Sequence, residues 1–295
     1  MWYKDKRFGK CYRIGDKRMS AVIAPEMGMS LISFTAGDIQ ILDFSRTDLF
    51  LKYRKGLGPL ILPHFNEEGF IPKVEESIFP HIGYLKNDGV KHPFQHGIGR
   101  YVGWYPEASE NTITGFIEGS METNGYTFKE LAGFDFKAAV TYTVIEGALE
   151  VHFSIDGEKP VASGIHYYYN LVNRNTAKLE IPESEGRVRT IEFNRSLNDV
   201  LKPISVNSKR QDDFFKVLKE KHVKNYSYCT LKTDKYQLQT VFTANGKPED
   251  VFDSLVVFSP ENAGFVCIEP ISYIPGEGAV KKINSGTIYL NPLSL

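Results

Sequence analysis

The chain has 295 residues, 42% hydrophobic and 13% aromatic, enough to bury a large core as one unit if the architecture is built from strands. With 35 basic and 36 acidic residues the formal net charge is -1, which sets up no field for nucleic acid or an anionic membrane and points to a neutral or locally recognised partner. No apolar run approaches the roughly 20 residues of a membrane span, and the charged start at residues 1–7 has no apolar stretch behind it. Cys11, Cys229 and Cys267 are too few and too dispersed for a disulfide framework or a metal knuckle, so a reduced, unexported, cytoplasmic protein is expected.

Apolar residues alternate with polar ones along most of the chain, the signature of half-buried strands rather than helices. In chain order the alternation predicts strands over 29–34, 39–42 and 112–117. A hairpin follows, with 140–144 and 149–155 turning at Glu146-Gly147 before the Asp156-Gly157 turn. Residues 212–224 interrupt the pattern, because Phe214, Val217, Leu218 and His222 are spaced either for one helix face or for an irregular excursion. Strands resume over 236–243, 255–258, 265–268 and 287–290. Many short strands separated by Gly, Asn, Asp and Pro predict an all-β sandwich or barrel, and no repeat or linker composition divides residues 1–295 into more than one domain.

Four segments place titratable side chains beside turn-forming residues. Residues 58–67 end an apolar run in the corner Pro63-His64-Phe65-Asn66-Glu67. Residues 95–100, Gln95-His96-Gly97-Ile98-Gly99-Arg100, set a histidine beside glycines that allow close backbone approach, with Trp104 able to offer a sugar its apolar face. In the third segment, Gly164-Ile165-His166 runs into Tyr167, Tyr168 and Tyr169. In the fourth, the short apolar strand Val266-Cys267-Ile268 ends in Glu269-Pro270, which predicts a carboxylate at a strand terminus, since proline cannot continue the ladder. Each alone has a plain structural reading: a hydrogen-bonded core histidine, packed rings or an edge ion pair.

Taken in this order, the four segments resemble the aldose 1-epimerase (galactose mutarotase) family, with its Pro-Phe-x-Asn corner, its His-Gly followed by an aromatic, its Gly-x-His before aromatics and its Cys-x-Glu-Pro strand. The resemblance covers most of the chain and implies a large antiparallel β supersandwich. It also implies interconversion of the α and β anomers of a free monosaccharide without metal or organic cofactor, by a protein that is a monomer or homodimer. In this reading Glu269 is the general base at O1, His166 the general acid at the ring oxygen, and His96 donates to that oxygen or its neighbour. An Asp-x-x-Phe pattern matches at Asp212, with Asp213 as competitor, and Asn66, Trp104 and Arg100 complete the substrate contacts.

The chain departs from the family at Glu67, where many members carry an Arg that donates to sugar hydroxyls, and at His64, where the pattern has Phe. An acceptor of opposite sign replaces a permanent donor, which favours neutral sugars over anionic ones unless Lys73 or Arg100 supplies the cation. The competing expectation is a carbohydrate-binding or sensing protein that keeps the fold and has lost the reaction. A third is a metal site built on His64, His92 and His96, which Pro93 disfavours.

Overall fold

The computed structural model describes residues 1–65, 70–183, 187–201, 213–221, 226–244, 252, 254–272 and 285–293. Among these residues the chain forms antiparallel sheets of nine, six, five and two strands. The five-stranded sheet is a meander of neighbours in sequence, Trp2–Asp5, Gly9–Gly15, Met19–Ala24, Ser30–Ala36 and Ile39–Gln40. The nine-stranded sheet centres on Gln237–Ala244, Ser285–Leu293, Ala148–Gly157 and Phe136–Ile145, lying side by side in that order. The six-stranded sheet runs from Leu197–Leu201 through Ser254–Ser259 and Phe265–Ile271 to Gly164–Ile165 and Leu60–Ile61, with Tyr167–Asn170 also paired to Phe265–Ile271.

Local sequence explains the predicted hairpin closely. Val144 pairs with Leu149 and Ile145 with Ala148, leaving Glu146-Gly147 as a two-residue loop in which Gly147 takes φ 77°. A positive φ there matches the twist of the two strands and suits glycine. The segment that broke the alternation does form a helix, Asp213–Glu220, which packs Phe214 and Leu218 on Tyr226, Tyr228, Val241 and Tyr289 of the nine-stranded sheet. Three short helices, Thr47–Tyr53, His81–Asn87 and Phe128–Ala132, were not foreshadowed by the alternation. No helix among the described residues is long and apolar enough to cross a membrane.

Strand parity positions the site. Successive side chains on a strand face opposite sides of its sheet. Leu255, Val257, Val266, Ile268, Tyr167 and Tyr169 join one continuous core with Val140 and Val151 of the nine-stranded sheet and Phe34 of the five-stranded sheet. Their immediate neighbours Val256, Phe258, Cys267, Glu269, His166 and Tyr168 are thereby committed to the opposite face. The expectation that Glu269 ends its strand is corrected: Phe265–Ile271 runs through Pro270, which pairs with Leu255. Proline is accommodated because the ladder on its other side is interrupted, and the His166 N–H donates to the Pro59 carbonyl at 2.9 Å instead.

Removing core-face bulk should therefore act on stability and leave the opposite face in place. Ile268→Ala is expected to cost about 2–5 kcal/mol, read as a lower denaturant midpoint. A stability equal to wild type would contradict the assignment of faces.

Candidate active site

Two flanking registers, Tyr167 with Ile268 and Gly164 with Ile271, bring His166 opposite Glu269, while Val256 pairs with Glu269 from the other side. The result is a small grid on one face of the sheet, with His166 and Tyr168 facing Glu269 and Cys267. His166 Nε2 lies 3.3 Å from Glu269 Oε1, and both residues are buried. Tyr168 stacks on His166 with ring centres 5.2 Å apart and planes inclined by 19°, which restricts rotation of the imidazole.

The loop carrying His96 and Arg100 is stitched to the strand Leu60–Ile61 by backbone bonds. The Leu62 N–H donates to the His96 carbonyl at 3.0 Å and the Gly99 N–H donates to the Leu62 carbonyl at 3.0 Å. The approach is so close that a Cβ on Gly97, whose φ is 90°, would fall 1.9 Å from the Leu62 oxygen, so the His-Gly pair is a steric requirement. His96 itself takes φ 62°. Its Nδ1 is 2.7 Å from the Phe65 carbonyl and so carries the proton, donating to that oxygen. Burial keeps the ring well below the usual imidazole pKa, and Nε2 is therefore a lone-pair acceptor. With the proton on Nδ1, the ring turns a lone pair rather than the expected donor toward any ligand. The ring lies 5.1 Å, centre to centre, from that of His166.

Arg100 is 1% exposed; its Nε donates to the Leu60 carbonyl at 2.9 Å, while Nη2 has no hydrogen-bond partner. Such a buried donor is costly unless a ligand satisfies it. These groups line a cleft of about 290 Å³, near the lower end of small-ligand sites, together with Lys55, Gln95, Asn198, Phe65, Tyr168, Val256 and Phe258. Burial pushes the Glu269 carboxyl up to about 8, with the Arg100 charge opposing the rise. His166 is driven well below its usual value by burial and then by Arg100. Both partners are thus pressed toward their neutral forms, the condition in which acid–base groups exchange protons near neutral pH.

The expected residues separate into three groups. Glu269, His166, His96 and Arg100 converge on the cleft. Trp104 does not: it is 4% exposed, packs in the large core and donates its indole N–H to the Gly99 carbonyl at 2.7 Å, so it braces the loop and offers no face to a sugar. Asn66, Glu67 and Asp212 lie outside the described residues. Lys73 is exposed and does not line the cleft. Of the two alternative cations expected, Arg100 is the one at the cleft; Lys55, just after the helix Thr47–Tyr53, also lines it, with its Nζ 2.9 Å from Asp88. Neither Lys55 nor Asn198 carries a motif, so only the fold reveals them. The histidine cluster around His64 and His92 has its rings 4.5 Å apart, and His92 Nδ1 is occupied by the Phe94 N–H at 3.0 Å.

No protein-family model matches the chain, and no curated protein matches it in sequence. Solved structures do match over nearly the full length. A Synechocystis sp. protein is similar at 14% identity, covering 97% of this chain and 96% of that one with a TM-score of 0.65. A galactose mutarotase-like protein of Clostridium acetobutylicum is similar at 13% identity, with 97% and 96% coverage and a TM-score of 0.65. The chain has the galactose mutarotase-like fold. An Escherichia coli protein provisionally assigned as an aldose 1-epimerase shares this fold at 12% identity, covering 97% of this chain and 99% of that one with a TM-score of 0.62. The mutarotase-like fold agrees with the all-β architecture expected from the strand pattern and with the antiparallel supersandwich implied by the family resemblance.

The raised carboxyl has a consequence for stability. Because Glu269 holds its proton in the folded state up to about 8 and releases it near 4.5 when unfolded, wild-type stability falls as pH rises between those values. Glu269→Gln removes that linkage. Denaturation at several pH values should show the variant gaining on wild type from about pH 5 to pH 8; a constant difference across that window would mean that the carboxyl is not buried as described.

Proposed function

We propose that the protein is a mutarotase that interconverts the anomers of a free aldose, with Glu269 and His166 as its base and acid. What supports this reading is the buried pair itself: a carboxylate oxygen and an imidazole nitrogen 3.3 Å apart at the wall of a sugar-sized cleft. Ring opening requires a base for the O1 proton and an acid for the ring oxygen, and no bond to carbon other than the hemiacetal C–O changes.

The resting pair carries its proton on Glu269; the opening step starts once that proton has passed to His166 across the 3.3 Å contact, after which ionised Glu269 takes the proton from O1 while protonated His166 gives one to the ring oxygen, and the C1–O5 bond breaks to leave the aldehyde. The pair then holds its single proton on Glu269. After rotation about C1–C2, the carboxylic acid returns a proton to O1 and neutral His166 accepts one from the C5 hydroxyl, which closes the ring on the opposite face of C1. The pair carries one proton before and after, so the cycle needs no exchange with water. Arg100 favours ionised Glu269 and its unpaired Nη2 is a donor for a sugar oxygen, while His96 Nε2 accepts from a hydroxyl.

The step uses a singly protonated pair, so the rate should fall on the acid side, where both groups hold protons, and on the alkaline side, where neither does. Exchange NMR on galactose and glucose is the measurement. Glu269→Gln should slow exchange by about 10²- to 10⁴-fold while leaving sugar affinity within roughly tenfold; retention of half the parental rate would remove Glu269 as the base. In His166→Ala only the carboxyl has to be ionised, so the residual rate should rise through its titration region, about 8 in the parent, without an alkaline limb. Sugar binding with no exchange in the parent would favour the non-catalytic alternative.

A further inference from the structure

The face that carries the acid and the base holds a third group the mechanism leaves unused, the thiol of Cys267. It lies two residues from Glu269 on the same strand and therefore on the same side, directly across from Tyr168. His166, Cys267 and Glu269 are all buried, and one ligand atom from each lies within 4.8 Å of the other two, the only such trio among the described residues.

We propose that these three side chains form a binding site for a borderline-soft divalent cation such as Zn²⁺, at the wall of the cleft that His166 and Glu269 line. A tetrahedral metal with bonds of about 2.0–2.3 Å holds its ligand atoms roughly 3.3–3.8 Å apart. The 3.3 Å between His166 Nε2 and Glu269 Oε1 already meets that spacing, and the thiol needs to close by no more than about an ångström. A thiolate, an imidazole and a carboxylate together select zinc-like ions over magnesium or calcium, which prefer oxygen alone. Three protein ligands leave the fourth position for water or a sugar hydroxyl on the cleft side. Ligation replaces the protons of the Cys267 thiol and of any protonated Glu269, which are released to solvent. The Arg100 charge beside Glu269 opposes a cation, so the site fits a reversible inhibitory ion better than a permanent structural one.

An occupied site would tie up both members of the acid–base pair. Zinc should therefore block anomer exchange, an arm that rests on the proposed mutarotase reading, whereas binding itself does not. The test titrates chelator-stripped protein with zinc chloride by calorimetry and with cobalt(II) by absorption, and follows exchange in parallel. One zinc per chain is expected, with a thiolate-to-cobalt charge-transfer band. Cys267→Ser should lose the band and weaken zinc by roughly tenfold or more while keeping the metal-free exchange rate. Cys229→Ser should alter none of these. If Cys267→Ser does not fold, Glu269→Gln supplies the binding readout and should weaken zinc likewise. Zinc affinity unchanged in the folded Cys267→Ser variant, no stoichiometric binding to wild type, or bound zinc that leaves exchange untouched would each overturn the site. Absence of exchange in metal-free wild type would instead overturn the mutarotase reading and leave the zinc titration decisive by itself.

Discussion

The arrangement of this cleft depends on one constraint, the placement of a buried carboxyl and a buried imidazole 3.3 Å apart on one face of a sheet. Isolated burial of either charge is expensive, and the protein responds by holding both groups toward neutrality. A pair that shares one proton has the same net charge whichever member holds it, so the proton can pass between them without the solvent reorganisation that would follow a change in charge. Arg100 acts on both members, favouring ionised Glu269 and opposing protonated His166, and its guanidinium is held in place by the Leu60 carbonyl.

That placement is an outcome of parity. The strand Phe265–Ile271 sends Val266 and Ile268 into the large core, and the apolar area they bury holds the strand in register. Glu269 and Cys267 follow to the other face with no local preference of their own. Flanking apolar patches, Phe65, Val256 and Ile271 on one side and Tyr168, Phe265 and Cys267 on the other, limit the exposure of the intervening polar pair. The cost of burying a carboxyl and an imidazole is thus borne by the hydrophobic face of the same three strands.

The second support is the loop that carries His96 and Arg100. Its backbone lies against Leu62 so closely that Gly97 has no room for a side chain, and Trp104 closes it from the core through the Gly99 carbonyl. An aromatic a few residues after a His-Gly pair can read as a sugar platform, but here the ring is consumed in fixing the loop. The same motif residue thus serves the site indirectly, through the position it gives to Arg100.

Alternation alone determined the all-β class: period-two patterning and turn residues placed the hairpin at Glu146-Gly147 and the strands around Cys267, because strand formation is a local matter of side-chain spacing and backbone preference, while the choice between sandwich and barrel lay outside it. Local chemistry also singled out His96, His166 and Glu269, since a titratable group beside glycine or proline stands out in any sequence. What sequence could not determine was which groups meet. The facing of His166 and Glu269 comes from a register between strands about a hundred residues apart, and the continuation of the strand through Pro270 comes from an interrupted ladder on its far side. The orientation of the His96 ring follows from a carbonyl thirty-one positions away, and the presence of Lys55 and Asn198 at the cleft follows from how sheets and helices pack. Only the tertiary structure decides these points, because long-range pairing is set by burial over the whole core and not by any residue's neighbours in the chain.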